Sequence, residues 1–389
     1  MKRRPYILPT IISSQFACTS LWFAGNAIVD DLAIKTGLGA EIIGYVLSSV
    51  NLGFIIGTLV FAALMIADRY PPSRVFMICA LLAAACNLLL LSNTVTTSLL
   101  ILGRFGSGFF LAGIYPVGMK IAADYYESGL GKALGFLVGA LVFGTAFPYL
   151  MGGTTWGNNY TVIIKATSGL AVFGGFLLWI LVPNGPFRKP SKQLQLKAGP
   201  ALFKIAGFRK ATLGYFGHMW ELYAFWAFTP LAIQTFNNLN EASLSVPMWT
   251  GITIALGGLS CILGGFLSEQ FGSYKVATSS LVVSGAFCLL SPLLFQLPPL
   301  LFLFGWCIWG MAVTADSPQF SNMVASAVAP EFKGTGLTLV NCIGFAISIV
   351  SIQLLSFSAE KINPSYVFLI LLVGPALGTA YLLKKNTYL

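Results

Sequence analysis

The stretch Asp68-Arg69-Tyr70-Pro71-Pro72-Ser73-Arg74 lies between two long apolar runs of the chain. An acid ends the first run, and a base opens the second run six residues later. The same arrangement returns 201 positions further on, in Glu269-Gln270-Phe271-Gly272-Ser273-Tyr274-Lys275. A second match has an offset of 202 and pairs four residues: Gly103 with Gly305, Gly108 with Gly310, Pro116 with Pro318 and Ala123 with Ala325. Two matches with nearly one offset predict a chain built from two similar halves.

The composition around these repeats is that of a membrane protein. Hydrophobic residues make up 57% of the 389 residues, and charged residues only 9%, against about 25% in soluble domains. The net charge of +10 would suit nucleic acid only if the basic residues covered a solvated surface. The composition therefore excludes a soluble enzyme, a disordered protein and a nucleic-acid binder.

Charges, Gly and Pro divide the chain into apolar runs, each close to the roughly 20 residues that cross a bilayer. Twelve such runs are predicted: 6–29, 42–66, 74–92, 97–121, 132–153, 160–182, 211–236, 248–268, 275–296, 298–323, 334–357 and 364–383. The first is too long and too polar for a cleaved signal peptide. The sequence thus predicts an all-α membrane protein in which twelve transmembrane helices form two six-helix, pseudo-symmetric bundles, residues 1–182 and 211–389.

The basic residues predict the orientation. Most of the 22 Lys and Arg residues fall on the side of the termini, whereas the other side carries Lys35, Lys165 and Lys361. By the positive-inside rule we expect cytoplasmic termini in a bacterial inner membrane. Residues 183–210 carry four prolines, seven basic residues and no acid, and are interpreted as a cytoplasmic linker, with binding of lipid headgroups as an added role left open. The seven cysteines show no metal-binding spacing, so neither a metal nor a cofactor is expected.

Two motifs resemble those of the major facilitator superfamily, and the likeness extends over the whole chain. Ala67–Arg74 resembles the loop between helices two and three of that superfamily, although its usual Gly is Leu64 here. Arg104-Phe105-Gly106-Ser107-Gly108 resembles the RxxxG motif of helix four, and the stretch 214–223 resembles an orphan subgroup. The resemblance implies a secondary active transporter that works by alternating access, with helices one, four, seven and ten around a central cavity.

The repeated loop supplies the candidate gating residues Asp68, Arg69, Arg74 and Glu269. Asp68 is expected to pair with Arg69 or Arg74, or with the N-terminal dipole of a neighbouring helix. Such a pair would latch the two halves in one state and break in the other. The alternative is ordinary interface charge that sets the topology.

Ionisable side chains at membrane depth are costly, so each is a functional candidate. Four are predicted there: Arg104, His218, Glu221 and Asp316. Helical spacing places them on stripes that mix polar and aromatic residues, as expected for the walls of a solvated cavity. The predicted substrate-binding residues are therefore Arg104, Trp22, Asn26, Gln15, Tyr115, Trp306, Trp309 and Tyr223.

The roles of the ionisable residues remain open at this level. Glu221 or Asp316, aided by His218, is expected to take up and release the coupling proton. The alternatives are a structural pair or helix cap for the acids, and a satisfied hydrogen-bonding residue for His218. Arg104 could grip an anion, take part in coupling, or be held structurally by helix-end carbonyls or a buried acid.

The predicted function is transport of a small anionic or zwitterionic organic solute, coupled to protons by symport or antiport. The expected partners are that solute, the lipid bilayer and protons, for a monomer that binds no nucleic acid. The alternative is proton-driven efflux of drugs or organic cations, with Glu221 and Asp316 as counter-charges. No phosphate loop, zinc motif, catalytic triad or selectivity ring supports an enzyme or a channel.

Overall fold

The computed structural model describes residues 5–39, 41–125, 130–188 and 194–384. Over these residues the chain forms twelve long helical segments: α1 Ile7–Thr19, α2 Ile42–Ala63, α3 Pro72–Leu91, α4 Thr97–Ala123, α5 Leu130–Gly152, α6 Tyr160–Leu181, α7 Ala206–Asn240, α8 Val246–Phe271, α9 Ser273–Leu294, α10 Pro299–Ser326, α11 Lys333–Ala359 and α12 Pro364–Leu383. Ten of the helices within the described residues are long and apolar enough to cross a membrane. The shorter apolar helix α1 and the 35-residue helix α7 bring the helical segments to twelve. The predicted twelve-helix architecture is confirmed.

Twelve spans place both ends of the chain on the same side, called here the linker side, and the opposite side is the far side. Several basic residues on which the predicted orientation depends lie outside the described residues: Lys2, Arg3, Arg4, Lys189, Lys192 and Lys385. Which compartment each side faces therefore stays a prediction. In the linker, a short helix Gly199–Lys204 precedes α7, so the segment 183–210 is not a plain loop.

The first span differs from the prediction of one helix over 6–29. Regular helix ends at Thr19, the chain continues in turns, and a 3-10 turn follows at Asn26–Ile28. The break leaves backbone carbonyls without helical partners. The Arg104 side chain of α4 donates hydrogen bonds to two of these carbonyls, those of Leu21 and Trp22.

Helices α4 and α10 are each broken inside the predicted spans 97–121 and 298–323. In α4 regular helix stops at Leu111 and resumes at Tyr115, and in α10 it stops at Ala315 and resumes at Ser317. Pro116 and Pro318 lie in the first turn of the resumed segments. Proline lacks an N–H and its ring displaces the carbonyl four residues earlier, so the repeated proline produces the same break in both halves.

Helix α7 exceeds its predicted range of 211–236 at both ends. Five of the nine added residues are polar: Arg209, Lys210, Asn237, Asn238 and Asn240. A helix satisfies its own backbone hydrogen bonds wherever its side chains face. Hydropathy reports the part of a helix inside the bilayer and misses such extensions.

The two halves meet along α2 with α11 and along α5 with α8. In the first seam Asn51 Nδ2 donates to Ser348 Oγ over 3.0 Å, and Gln353 Nε2 donates to Ser48 Oγ over 2.9 Å. In the second seam the backbones run close together, with Gly139 opposite Gly258. These seams hold the two halves together.

Candidate functional site

His218 and Asp316 form a buried pair inside the C-terminal half. His218 lies on α7, Asp316 lies at the break of α10, and both side chains are fully buried. Nδ1 of His218 is 2.8 Å from Oδ1 of Asp316, yet the two groups are not aligned as a hydrogen bond, and neither has another hydrogen-bond partner among the described residues. The pair can therefore accept a proton without breaking any other bond, and protonated histidine would form an ion pair.

Glu221 lies one helical turn beyond His218 on α7 and is also fully buried. Three donors surround its carboxylate: Trp309 Nε1 at 2.6 Å, Ser284 Oγ at 2.9 Å and Cys288 Sγ at 3.2 Å. These donors come from α9 and α10, so Glu221 ties three helices of one half together. The three hydrogen bonds hold the carboxylate in one orientation.

The predicted substrate residues Trp306 and Trp309 lie in the interior of the C-terminal half. Trp306 Nε1 donates to Thr229 Oγ1 over 3.2 Å, and Trp309 Nε1 donates to the carboxylate of Glu221. Their rings pack on phenylalanines of the same half: Phe225, Phe287, Phe295, Phe302 and Phe368. This placement favours packing and positioning of Glu221 over direct contact with a substrate.

Arg104 is fully buried inside the N-terminal half. Its guanidinium donates to the carbonyl oxygens of Leu21, over 3.2 Å, and Trp22, and it lies 3.5 Å from Asn87 Oδ1. Gly25 passes so close that a Cβ there would be 2.9 Å from Arg104 Nε. Among the roles left open by the sequence, these contacts favour the structural one, in which helix-end carbonyls neutralise the charge.

Aromatic rings from both halves pack together between the bundles. We call the aromatic cluster the set Trp22, Phe23, Phe54, Tyr149, Tyr223, Trp226 and Phe345, all of which are buried. Trp22, in the turns that follow α1, stacks on Tyr223 of α7 at 5.9 Å between ring centroids and on Phe345 of α11 at 5.8 Å. The cluster includes the predicted residues Trp22 and Tyr223 and joins them across the interface of the halves.

Several polar atoms in and beside the aromatic cluster lack partners. Trp22 Nε1, Trp226 Nε1 and the Tyr149 hydroxyl have no hydrogen-bond partner among the described residues. An unsatisfied buried donor costs about 1–3 kcal/mol. The three groups would be satisfied by a molecule that carries hydrogen-bond acceptors.

The other predicted substrate residues are placed as follows. Gln15 is fully buried, both of its amide atoms lack partners, and it faces Gly118 in the second segment of α4. Asn26 is buried in the 3-10 turn after α1, with its Oδ1 unpartnered. Tyr115 begins the second segment of α4 and is half-buried. The break in α4 separates Tyr115 from Arg104, although the sequence predicted one shared stripe.

Asp68 is the predicted gating residue with the clearest contacts. It pairs with Lys120 of α4, a residue of the same half, where Arg69 or Arg74 was expected. Arg188 of the linker donates to the carbonyl oxygens of Asp68 and Tyr70, over 2.9 and 3.0 Å. The pair fastens the loop between α2 and α3 to α4, with the linker laid across it.

Asp124 adjoins this pair just beyond the end of α4. Burial raises the pKa of its carboxyl group, while the charges of Lys120 and Arg188 act in the opposite direction. The remaining gating candidates, Arg69, Arg74 and Glu269, are exposed on the linker side.

Sequence reasoning missed some residues that shape the site. Asn87 of α3 meets Arg104 and also donates to Thr167 Oγ1 and Ser168 Oγ of α6, over 3.2 and 3.0 Å. Asn87 is an amide in the middle of the apolar run 74–92, and this was the signal that the sequence offered. Tyr149 of the aromatic cluster gave no such signal, because a tyrosine near the end of a span is ordinary.

The sequence profile of the Major Facilitator Superfamily matches residues 10–352. The chain belongs to this superfamily. It is a multi-pass membrane transporter of small solutes and not an enzyme.

Solved structures of other superfamily members have the same fold. A mutant form of the nucleoside transporter NupG is similar with a TM-score of 0.74 and 16% identity, covering 97% of this chain and 100% of that one. A bacterial homologue of the human lysosomal transporter Spinster, inward-facing and unoccupied, is similar with a TM-score of 0.71 and 14% identity, covering 98% and 97%. At these identities the likeness concerns the fold alone.

One curated superfamily relative is similar over a shorter stretch. It is the 3-(3-hydroxy-phenyl)propionate transporter of Escherichia coli (strain K12), 25% identical over 107 residues. The matched stretch is 28% of this chain and 26% of that protein, so the chain spans about a quarter of the relative's length in the alignment.

Proposed function

We propose that this chain is a proton-coupled secondary transporter of small organic anions, with aromatic carboxylates as the favoured substrate class. It would act as a monomer in a bacterial inner membrane, with its termini in the cytoplasm. The halves 1–182 and 211–389 would rock about the interface, and the segment 183–210 would tether them.

The observation that carries the proposal is the buried pair of His218 and Asp316. Ionisable groups at this depth are costly and are retained mainly where they serve ion or substrate pathways. Among the described residues, the four polar side-chain atoms of the pair have no other hydrogen bonds, so the pair can gain or lose a proton without breaking a hydrogen bond to a third group. Glu221, one turn away and held by three donors, is a second carboxylate that a transferred proton could reach.

The aromatic cluster supports the substrate class. Its rings offer flat apolar surface from both halves, and the unpartnered groups of Trp22, Trp226 and Tyr149 can all donate hydrogen bonds. A planar ring with a carboxylate matches both features, because rings stack on rings and carboxylates accept such bonds strongly. The name of the Escherichia coli relative describes an aromatic carboxylate, which agrees with this choice.

Efflux of organic cations is the second candidate, and it needs an acid that faces the substrate. Glu221 and Asp316 instead contact partners within the C-terminal half: Trp309, Ser284 and Cys288 for Glu221, and His218 for Asp316. The donors at the interface would also repel a cation's own N–H groups. These contacts favour the anion.

Gating is proposed to involve the linker side. Asp68 and Lys120 stiffen one half there, and Arg69, Arg74 and Glu269 lie exposed where the halves would approach each other. Breaking the pair would loosen the loop between α2 and α3 and slow the exchange of conformations.

Uptake into liposomes tests the proposal. Protein reconstituted in vesicles with an alkaline interior should accumulate labelled 3-phenylpropionate above the level in protein-free vesicles with the same pH difference, and a protonophore should abolish the accumulation. Cyclohexanepropionate, which has the carboxylate without the aromatic ring, should compete weakly, and phenethylamine should not compete. Accumulation that ignores the pH gradient would contradict proton coupling, and preferred transport of the amine would support the efflux alternative.

A further inference from the structure

A groove opens on the outer surface of the C-terminal half, between α8, α9 and α10. It encloses about 580 Å³. Small residues form its floor: Ser260, Gly264, Ala312 and Ala315. Large exposed side chains form its rim: Leu263, Leu267, Phe271 and Val283. The groove exists because the floor positions carry almost no side chain where three helices diverge.

The position of the groove is set by the loop between α8 and α9. Phe271 ends α8 and Lys275 lies in the first turn of α9, so the mouth is at the membrane surface on the linker side. From Lys275 to Val283 the helix rises about 12 Å, at 1.5 Å per residue. That length is close to half of the roughly 30 Å hydrocarbon core of a bilayer, so the groove spans most of one leaflet.

The charge at the mouth distinguishes this groove from ordinary lipid-facing surface. Of the described residues that line it, Lys275 is the charged one, and its side chain is exposed. The remaining lining is aliphatic, aromatic or serine. An apolar channel one leaflet deep with a single cation at its mouth fits a molecule with a hydrocarbon chain and an anionic head.

We propose that this groove binds an anionic phospholipid, with one acyl chain between α8 and α10 and the phosphate on Lys275. Lysine binds phosphate as a point charge, and basic residues at the membrane surface attract anionic lipids. The lipid comes from the surrounding leaflet, which meets the open side of the groove directly.

A lipid in the groove would touch the helix break that carries Asp316. Ala315 lines the groove and directly precedes Asp316, and a Cβ at Gly264 would be 3.0 Å from the Ala315 carbonyl. An acyl chain would therefore pack against the last regular turn before the break. A role of that lipid in proton coupling rests on the proposed function, whereas its binding does not.

Native mass spectrometry of the full chain tests the binding. After exchange into micelles that contain phosphatidylglycerol or phosphatidylcholine, the protein should retain one phosphatidylglycerol more strongly. Lys275→Gln should lower that retention about fivefold, the worth of one lysine near an anionic surface, and Lys275→Arg should restore it. Ser279→Phe, at an exposed position of the lining, should obstruct the groove and lower the retention of both lipids.

The matched control is Lys333→Gln. Lys333 is exposed at the start of α11 on the same side of the membrane but does not line the groove, so its removal should leave retention unchanged. Equal retention of the two lipids, or equal losses in the Lys275 and Lys333 variants, would overturn the proposal. Competition by glycerol phosphate as strong as by the intact lipid would show that no acyl chain is bound and would overturn it as well.

Discussion

The guanidinium of Arg104 lies 3.2 Å from the carbonyl oxygen of Leu21, at the point where the first span stops being helical. The contact joins a charge on α4 to the backbone of the turns that follow α1, within one half. It explains how a broken helix is stable at membrane depth, since unsatisfied carbonyls there must find donors. It also makes the charge a structural part of the N-terminal half.

Substitution of Arg104 should therefore lower stability more than substrate affinity. Arg104→Gln removes the charge and leaves the carbonyls of Leu21 and Trp22 with fewer donors, at a cost of about 1–3 kcal/mol per unsatisfied group. We expect a lower Tm and an unchanged Kd for 3-phenylpropionate in the folded fraction. A large rise in Kd at an unchanged Tm would instead make Arg104 a substrate ligand.

Gly25→Ala should produce the same defect without touching the charge. The added Cβ would lie 2.9 Å from Arg104 Nε and must displace the guanidinium from the carbonyls. Gly169→Ala on α6 is the control, because a Cβ there meets nothing within 4 Å. Thermal unfolding in detergent should show a lower Tm for Gly25→Ala only. Equal Tm values for the two variants would show that the close approach of Gly25 to Arg104 does not affect stability.

Asp316→Asn should uncouple transport from protons. Without the carboxylate, His218 loses its charged partner and the pair can no longer bind and release a proton through the cycle. Uptake driven by a pH gradient should fall to background, while exchange of labelled for unlabelled substrate at equal pH should continue. Asp30→Asn, an exposed acid on the far side, should leave both rates unchanged, and normal driven uptake by the Asp316 variant would exclude that residue as a coupling group.

Trp22→Phe should weaken binding of an aromatic carboxylate while keeping the aromatic packing. The variant retains a ring against Tyr223 and Phe345 but loses the N–H that has no partner in the aromatic cluster. A hydrogen bond to a charged group contributes about 1.5–3 kcal/mol, so Kd should rise at least about tenfold. Trp179→Phe, a 40% exposed residue of α6, should bind normally, and identical affinities of the two variants would place the substrate elsewhere.

A double-mutant cycle tests the pair of Asp68 and Lys120. Asp68→Asn and Lys120→Gln should each lower the free energy of unfolding, and the double variant should lose less than the sum, because the residues share one contact. Partly exposed pairs contribute up to about 1 kcal/mol, so the coupling should be of that order. Asp31→Asn combined with Lys120→Gln should be additive, and additivity in the Asp68 cycle would mean that the pair stabilises nothing.

The sequence predicted the features that depend on composition and periodicity. Twelve apolar runs gave the helices. His218 was expected to aid Glu221 or Asp316, and the structure has His218 and Asp316 2.8 Å apart. The matching prolines, Pro116 and Pro318, were visible as a repeat. Their effect on α4 and α10 was only partly foreseen, because a proline interrupts a helix with different severity in different surroundings.

Contacts between a side chain and distant backbone were beyond the sequence. Every residue has a carbonyl, so nothing in the letters marks those of Leu21 and Trp22 as partners of Arg104. No Pro or Gly follows Thr19 until Gly25, so no local breaker marked the end of α1. The sequence likewise did not identify Lys120 as the partner of Asp68, because Arg69 and Arg74 are closer to Asp68 in the chain.

The carbonyl-bound charge of Arg104 has an electrical consequence. The charge of Arg104 stays with the N-terminal half and does not cross the membrane with the substrate. Under the proposed function, the net charge moved in each cycle is therefore the charge of the substrate plus that of the protons. One carboxylate with one proton sums to zero. Uptake would then follow the pH difference across the membrane and be indifferent to the voltage, whereas each uncompensated charge would add about 2.3 kcal/mol per 100 mV.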